Sequence, residues 1–193
     1  AAQPQQNIDP VVIASHIIIA LQQLVSRVAD PRIPSVLSFG KVVANGATNI
    51  IPNEVYLEGT FRTMDETWRA QAHQQMQKMA QGIAEAMGGT CEFNIVNGYP
   101  FLVNEKKLTQ QARMYAEEYL GAENVVDLDL WMAAEDFAYY SQVTNACFYR
   151  LGTGNQTRGI TSPVHTPNFD IDEKALQIST GLMAYIALRR LGN

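Results

Sequence analysis

The chain has 193 residues, 47% of them hydrophobic, which is enough to bury one large core or two small ones. Its formal charge is -5 and its basic residues are scattered, so it lacks the positive surface that a phosphate backbone demands, and nucleic acid is excluded as a partner. The longest apolar run, 11–21, is interrupted by Ser15 and His16 and falls short of the roughly 20 apolar residues that cross a bilayer, so no membrane partner is expected.

Asp9-Pro10 reads as an N-cap followed by a first-turn proline, and Val12, Ile13, Ile17, Leu21, Leu24 and Val28 recur at helical spacing as far as Asp30-Pro31. Residues 35–44 are rich in Val, Leu and Phe and end at Asn45-Gly46, while 54–62 alternates apolar Val55, Leu57 and Phe61 with polar neighbours; both predict strands. A second helix is predicted over 65–87, carried by Trp68, Ala72, Met76, Met79, Ile83 and Met87 and stopped by Gly88-Gly89. Cys91, Phe93 and Ile95 alternate with polar residues up to Asn97-Gly98-Tyr99-Pro100, giving a third strand and a break.

The order helix, strand, strand, helix, strand is that of a split βαβ, ferredoxin-like unit whose first strand would lie upstream of Ala1. After Pro100 the pattern predicts a helix over 105–120, a short apolar stretch at 125–130, a turn-rich segment, a strand at 147–151 and a final helix over 172–191. This reads as the end of an α/β domain, and the boundary at Gly98-Tyr99-Pro100 divides the chain into 1–98 and 99–193. The N-terminus carries neither a charged leader nor a starting Met and reads as a cut end. Cys91 and Cys147 sit in apolar, strand-like surroundings that suit buried thiols in a reducing, cytoplasmic compartment.

Of the three histidines, His16 lies in an apolar helical run and His73 among glutamines on a helix face, where packing or solvent-facing roles are expected. His165 lies in the loop Ser162-Pro163-Val164-His165-Thr166-Pro167, a position where α/β enzymes place site residues, and local context leaves it open between a loop histidine and a metal ligand. A catalytic zinc usually takes three protein ligands, and no His-x-Asp or Cys-x-His pair is present to complete such a set. Glu135 and Asp136 read either as first-turn carboxylates or as an active-site wall beside Phe137, Tyr139 and Tyr140. Gly152-Thr153-Gly154-Asn155 is too short for a phosphate loop and suits a tight turn or backbone approaching a small ligand. Asn49 and Arg62, at strand ends, are solvent-facing residues unless they serve a substrate, in which case Arg62 could grip a carboxylate and Asn49 donate to a carbonyl.

Taken in order, eight segments resemble one family: Ala1-Ala2-Gln3-Pro4 with Asp9-Pro10; Ser26-Arg27 with Asp30-Pro31; Asn49-Ile50-Ile51-Pro52; Gly59-Thr60-Phe61-Arg62; Gly98-Tyr99-Pro100; Glu135-Asp136-Phe137-Ala138-Tyr139-Tyr140; Leu151-Gly152-Thr153-Gly154-Asn155; and His165-Thr166-Pro167-Asn168-Phe169 with Asp172-Glu173. The family is that of metal-dependent amidohydrolases, which includes hippurate hydrolase, N-acyl-L-amino-acid amidohydrolases (aminoacylases) and plant auxin-conjugate hydrolases. The resemblance implies that 1–98 is most of a ferredoxin-like lid and dimerisation domain, and 99–193 the C-terminal part of an α/β metallopeptidase-type catalytic domain. It further implies two divalent metal ions, zinc or manganese, with His165 matching the last metal ligand and Asn49 a substrate-binding lid asparagine. Arg62 falls near the same lid surface, and Gly152, Gly154 and Glu135 are the remaining candidates for substrate contact.

The general-base glutamate and the lid histidine are expected upstream, in the missing N-terminal part of the same protein, so this chain alone is expected to be inactive. Gln5, where the family often has histidine, and Ala133, where glycine is common, depart from the pattern and blur substrate preference. The implied reaction is hydrolysis of the amide bond of N-acyl amino acids or similar conjugates by a homodimer joined through the lid. The alternatives are a carboxypeptidase or dipeptidase of the same superfamily, and a non-catalytic dimerisation or ligand-binding module.

Overall fold

A computed structural model describes residues 1–192. The chain divides into two compact units: the first comprises Ala1–Phe101 with Met132–Ala134, the second Leu102–Trp131 with residues 135–192.

The first unit is built on α1 (Pro10–Gln23), β1 (Ser35–Val43), β2 (Tyr56–Thr63) and α2 (Glu66–Ala86). Asp9 caps α1 as its sequence predicts, its carboxylate accepting the amides of Val11 and Val12 at 2.9 and 3.2 Å. The helix runs on through a wider turn, Leu24–Val28, which extends it to 19 residues. By length and composition this helix could reach across a bilayer, a correction to the shorter run counted from sequence. One of its faces is already spent: Ile13, Ile17, Leu21 and Leu24 are buried against Trp68, Ala72, Met76, Ala80 and Ala84 of α2.

The alanines at 72, 80 and 84 keep α2 thin along that stripe, so ridges on α1 can sit close against it. Met79 and Ile83, counted as the apolar repeat from sequence, are half-buried at its margin, and Met87 is exposed. Gly88 stops the helix in the left-handed region at φ 82°, where a side chain would be strained. Asp65 caps the other end through the Trp68 amide.

β1 and β2 form an antiparallel hairpin in which Ser35 faces Thr63, Leu37 faces Phe61 and Val36 faces Arg62. A bulge falls between Phe39 and Lys41, so Gly40 has no partner in the ladder. Leu37, Phe39 and Phe61 pack on the helical core. The third predicted strand, at Cys91 to Ile95, forms no ladder among the described residues. Its alternation is nonetheless expressed, since Cys91 and Phe93 pack on the same core while Glu92 and Asn94 are exposed. A pleated segment becomes a strand only when a neighbour takes its backbone donors and acceptors, and here the hairpin does not reach it.

The second unit pairs α3 (Lys106–Leu120) with α5 (Lys174–Leu191), and carries the short α4 (Ala138–Val143) between them in sequence. Ala112 and Tyr115 of α3 and Ala175 and Leu182 of α5 are buried, and Tyr119 reaches α5 at Gly181, where even a methyl group would collide with its hydroxyl. The strand predicted at 147–151 also lacks a ladder partner among the described residues, as does the apolar stretch at 125–130. The Asn104 side chain takes the place of a neighbouring strand for Phe148, donating to its carbonyl at 2.9 Å and accepting its amide at 2.7 Å. In the apolar stretch, Val126, Leu128 and Leu130 remain 71%, 59% and 67% exposed, so these side chains join no core.

Candidate functional site

In the first unit the two candidates stand at opposite ends of the hairpin. Asn49 is exposed at a tight turn in the β1–β2 connection, where Ala47 and Ile50 exchange both backbone hydrogen bonds at 2.9 and 3.0 Å. The loop folds back so closely that a Cβ at Gly46 would lie 2.5 Å from the Ile50 carbonyl oxygen and 2.9 Å from Pro52 Cδ. Arg62 is half-buried near the other end of the ladder, and its guanidinium donates to the Met132 carbonyl at 2.8 Å. The structure therefore does not bring Asn49 and Arg62 together.

In the second unit the residues from Leu151 to Asp172 form a connected frame. Asn155 and Ile160 pair by backbone hydrogen bonds in both directions, at 2.8 and 2.9 Å, around a turn that Gly159 closes at φ 73°. Asp172, 8% exposed, sends its backbone N–H to the Thr153 carbonyl at 2.8 Å. Its carboxylate accepts hydrogen bonds from the Asn155 amide, from Arg158 at 3.0 Å and from the Lys174 backbone at 3.1 Å. The loop 161–171 springs from and returns to this frame, and His165 lies inside it.

His165 is exposed and has φ 64°, the one positive φ of a non-glycine residue among the described residues. That left-handed conformation crowds Cβ against the backbone and costs about 1–2 kcal/mol. It persists where the surroundings over-determine it, which is a recurrent property of functional positions. Thr166 donates its hydroxyl to the Pro163 carbonyl at 2.8 Å, and the Phe169 amide reaches the Thr166 carbonyl at 3.1 Å, so the turn around His165 is held from both sides.

Gly152 and Gly154 flank Thr153, whose carbonyl anchors Asp172. A Cβ at Gly152 would meet nothing within 4 Å, whereas at Gly154 it would lie 3.2 Å from the Ile160 carbonyl oxygen. Glu135 accepts the Phe137 amide at 3.4 Å ahead of α4, outside the first turn of that helix. Phe137 packs on Tyr140 and Phe148 with ring centroids 5.5 and 5.3 Å apart.

The other two histidines keep their structural roles. His16 is exposed on α1, and His73 lies edge-on to Phe61 at 6.2 Å. Burial, followed by the charge of Arg69, pushes the His73 pKa down.

No group of three His, Cys, Asp or Glu side chains converges among the described residues. His165, as an exposed imidazole on a braced turn, fits a metal as one ligand of a set whose other members come from elsewhere. Asn155, Arg158 and Asp172 are the residues that sequence reading passed over as site components. The signal that could have found them was the buried acid that ends a glycine- and proline-rich stretch, since such an acid needs partners.

The Asp172 carboxyl is held below the ordinary carboxylate range, first by the Asn155 amide, then by the Lys174 backbone N–H, with the charge of Arg158 adding to them. A depressed folded value means that its contribution to stability is complete above the unfolded pKa, about 3.9, and is lost as pH falls through the folded value. Amide NMR shifts of Thr153 to Asn155 should therefore hold from neutral pH down to about 4 and move only below it. A transition centred near pH 6 would show that another group controls the frame.

Comparison with known proteins agrees with the motifs. The profile of peptidase family M20/M25/M40 matches residues 4–189, and the chain belongs to that family. It is 35% identical, over 99% of its length, to the IAA-amino acid hydrolase ILR1-like 4 of Arabidopsis thaliana, and 29% identical, over 96%, to the thermostable carboxypeptidase 2 of Saccharolobus solfataricus. Among solved structures it matches the Bacillus subtilis YXEP protein, a dinuclear metal binding peptidase, with a TM-score of 0.74 and 30% identity over 96% of this chain. The chain spans about half the length of these relatives, 44%, 47% and 47% respectively. The mixed α/β architecture with a small antiparallel sheet is thus the architecture of this family.

Proposed function

We propose that this chain is the C-terminal part of a metal-dependent amidohydrolase that cleaves the amide bond between an acyl group and an amino acid, and that His165 is one of its metal ligands. The observation that carries the reading is His165 itself, exposed, held at φ 64° and braced on both sides. Membership of a family that includes a dinuclear metal binding peptidase supports a pair of metal ions, which this reading takes to be divalent, zinc or manganese. Bound at such a site, a divalent ion supplies a Lewis acid and lowers the pKa of a coordinated water.

The chain's own residues hold ligand and substrate. His165 offers its imidazole, and the exposed edge at Gly152 leaves room for a substrate to approach the backbone. Glu135 borders the same unit's aromatic cluster, a surface suited to an acyl group. Asn49 offers an amide N–H to a substrate carbonyl. Arg62 keeps guanidinium donors beyond the one given to Met132 and offers them to a carboxylate. The general-base carboxylate, the lid histidine and the remaining ligands belong to the rest of the protein.

The domain boundary at 98–99, a homodimer formed through the first unit and a cytoplasmic location complete the reading. The outer edge of β1, unpaired among the described residues, supports the second of these, and the two free thiols the third. The relative named as a carboxypeptidase favours one rival, a peptidase acting on short peptides. Measuring kcat/KM of the intact protein on N-acyl amino acids and on dipeptides with free amino termini separates the two. We expect the N-acyl substrates to be preferred by at least about tenfold, a difference of about 1.4 kcal/mol in transition-state binding. A preference for dipeptides would assign the rival.

A further inference from the structure

The His165 loop is closed at its base. Its first residue follows Ile160, which is paired with Asn155, and its last precedes Asp172, which is bonded to Thr153 through the backbone and to Asn155 through its carboxylate. Both ends of the 161–171 segment are therefore fastened to Asn155, and the second also to Thr153. A loop whose ends are held close together is a compact surface unit. The direction in which the His165 imidazole leaves the backbone is then set by how firmly the two ends are tied.

The ties are unequal. The Asn155–Ile160 end is held by two backbone hydrogen bonds that survive any side-chain replacement. At the Asp172 end, one backbone bond to Thr153 is joined by a carboxylate that holds Asn155 and Arg158 together. Asn155 spends both polar atoms in this arrangement, its carbonyl oxygen accepting the Arg158 amide at 3.2 Å and its NH2 group donating to Asp172. The cation paired with it is Arg158, whose side chain is 54% exposed and so cannot by itself exclude water, with the charge of Lys174 acting on the carboxylate as well. The carboxylate, with 11% of its side chain exposed, is the centre of the tie.

We propose that Asp172 is a positioning residue for His165, acting through Asn155 and Arg158 to fix the loop that presents the imidazole to a metal. This rests on the reading of His165 as a ligand. Replacing Asp172 by Asn keeps its size but turns one acceptor into a donor and removes the charge. The new NH2 group then faces either the Asn155 amide or the Arg158 guanidinium, both of which are donors.

The test measures zinc affinity of the intact protein by competition with a chromophoric chelator, and amide hydrogen exchange of the metal-free protein. Groups that orient a metal ligand typically change affinity by about 10- to 100-fold when removed. Asp172→Asn should weaken zinc binding by that amount and speed exchange within 161–171, while α3 and α5 keep their protection. The double variant Asn155→Asp with Asp172→Asn restores an amide–carboxylate pair in the reverse sense and should recover most of the affinity. Unchanged zinc affinity in Asp172→Asn would overturn the positioning role. So would a loss that accompanies deprotection of α3 and α5 and resists the double variant, since Asp172 would then be merely structural. His165→Ala separates the two levels. If it loses zinc while Asp172→Asn does not, only the positioning role fails; if it keeps its zinc, the ligand reading fails and the positioning role with it.

Discussion

His165→Ala in the intact protein should lower metal content by at least one ion per subunit and slow hydrolysis of N-acyl amino acids by about 10³-fold or more. A metal supplies several kcal/mol of transition-state stabilisation, and each 1.36 kcal/mol is a factor of ten. The fold should hardly notice. The side chain is exposed, and alanine carries the same Cβ at φ 64° as histidine does, so the backbone crowding is unchanged. His165→Gly sharpens the contrast, because glycine occupies φ 64° without the crowding that an L side chain suffers there. The glycine variant should be as inactive as the alanine variant, yet melt at the same temperature or higher. Elemental analysis, a thermal melt and an activity assay on the three proteins check this. If both variants retain full metal and activity, His165 is a loop residue only. If the glycine variant melts lower than wild type, the histidine side chain carries a structural contact that the left-handed backbone alone does not explain.

The first two helices were legible because each carries its own boundary chemistry. Asp9 with Pro10 opens α1, Asp65 opens α2 and Gly88 closes it, and these signals act within one turn of the chain. The hairpin was legible for a similar reason, since its two strands are close in sequence and alternate cleanly. Its bulge at Gly40 was not, because register depends on which residue faces which across the ladder.

Segments 91–95 and 147–151 show where a strand-like pattern runs out as a guide. It says which face of a pleated segment is apolar, and Cys91 and Phe93 do turn inward, but it cannot supply the neighbouring backbone. At the site, the ligand candidate was legible as one motif in a series. Its left-handed backbone was not, although Pro163 and Pro167 on either side restrict the residues that precede them. Nor was the Arg62 bond to Met132, whose partners lie 70 residues apart.

The largest effect on stability is expected at Trp68, where three kinds of contact coincide. The side chain is 6% exposed, its ring meets Phe61 edge-on at 6.3 Å, and its indole N–H donates to the Ser35 hydroxyl at 3.1 Å. Ser35 passes the connection on to Thr63 across the ladder at 3.1 Å, so one residue ties α2 to both strands. Trp68→Ala removes the packing and leaves a cavity, at a cost of about 3–5 kcal/mol. That is a large share of the 5–15 kcal/mol that holds a typical domain folded. Trp68→Phe keeps most of the buried ring but gives up the N–H bond, which should cost only about 1 kcal/mol more than the lost area. Urea titrations of the intact protein followed by circular dichroism would give the two values. Hydrogen exchange would locate them: protection should fall in α1 and α2, whose side chains form one core with Trp68, and persist in α3 and α5, whose buried residues form another. Equal loss in all four helices would mean that the two units unfold as one. Loss confined to the hairpin would mean that the helix pair is held by Leu21, Leu24 and the alanine stripe without help from the indole.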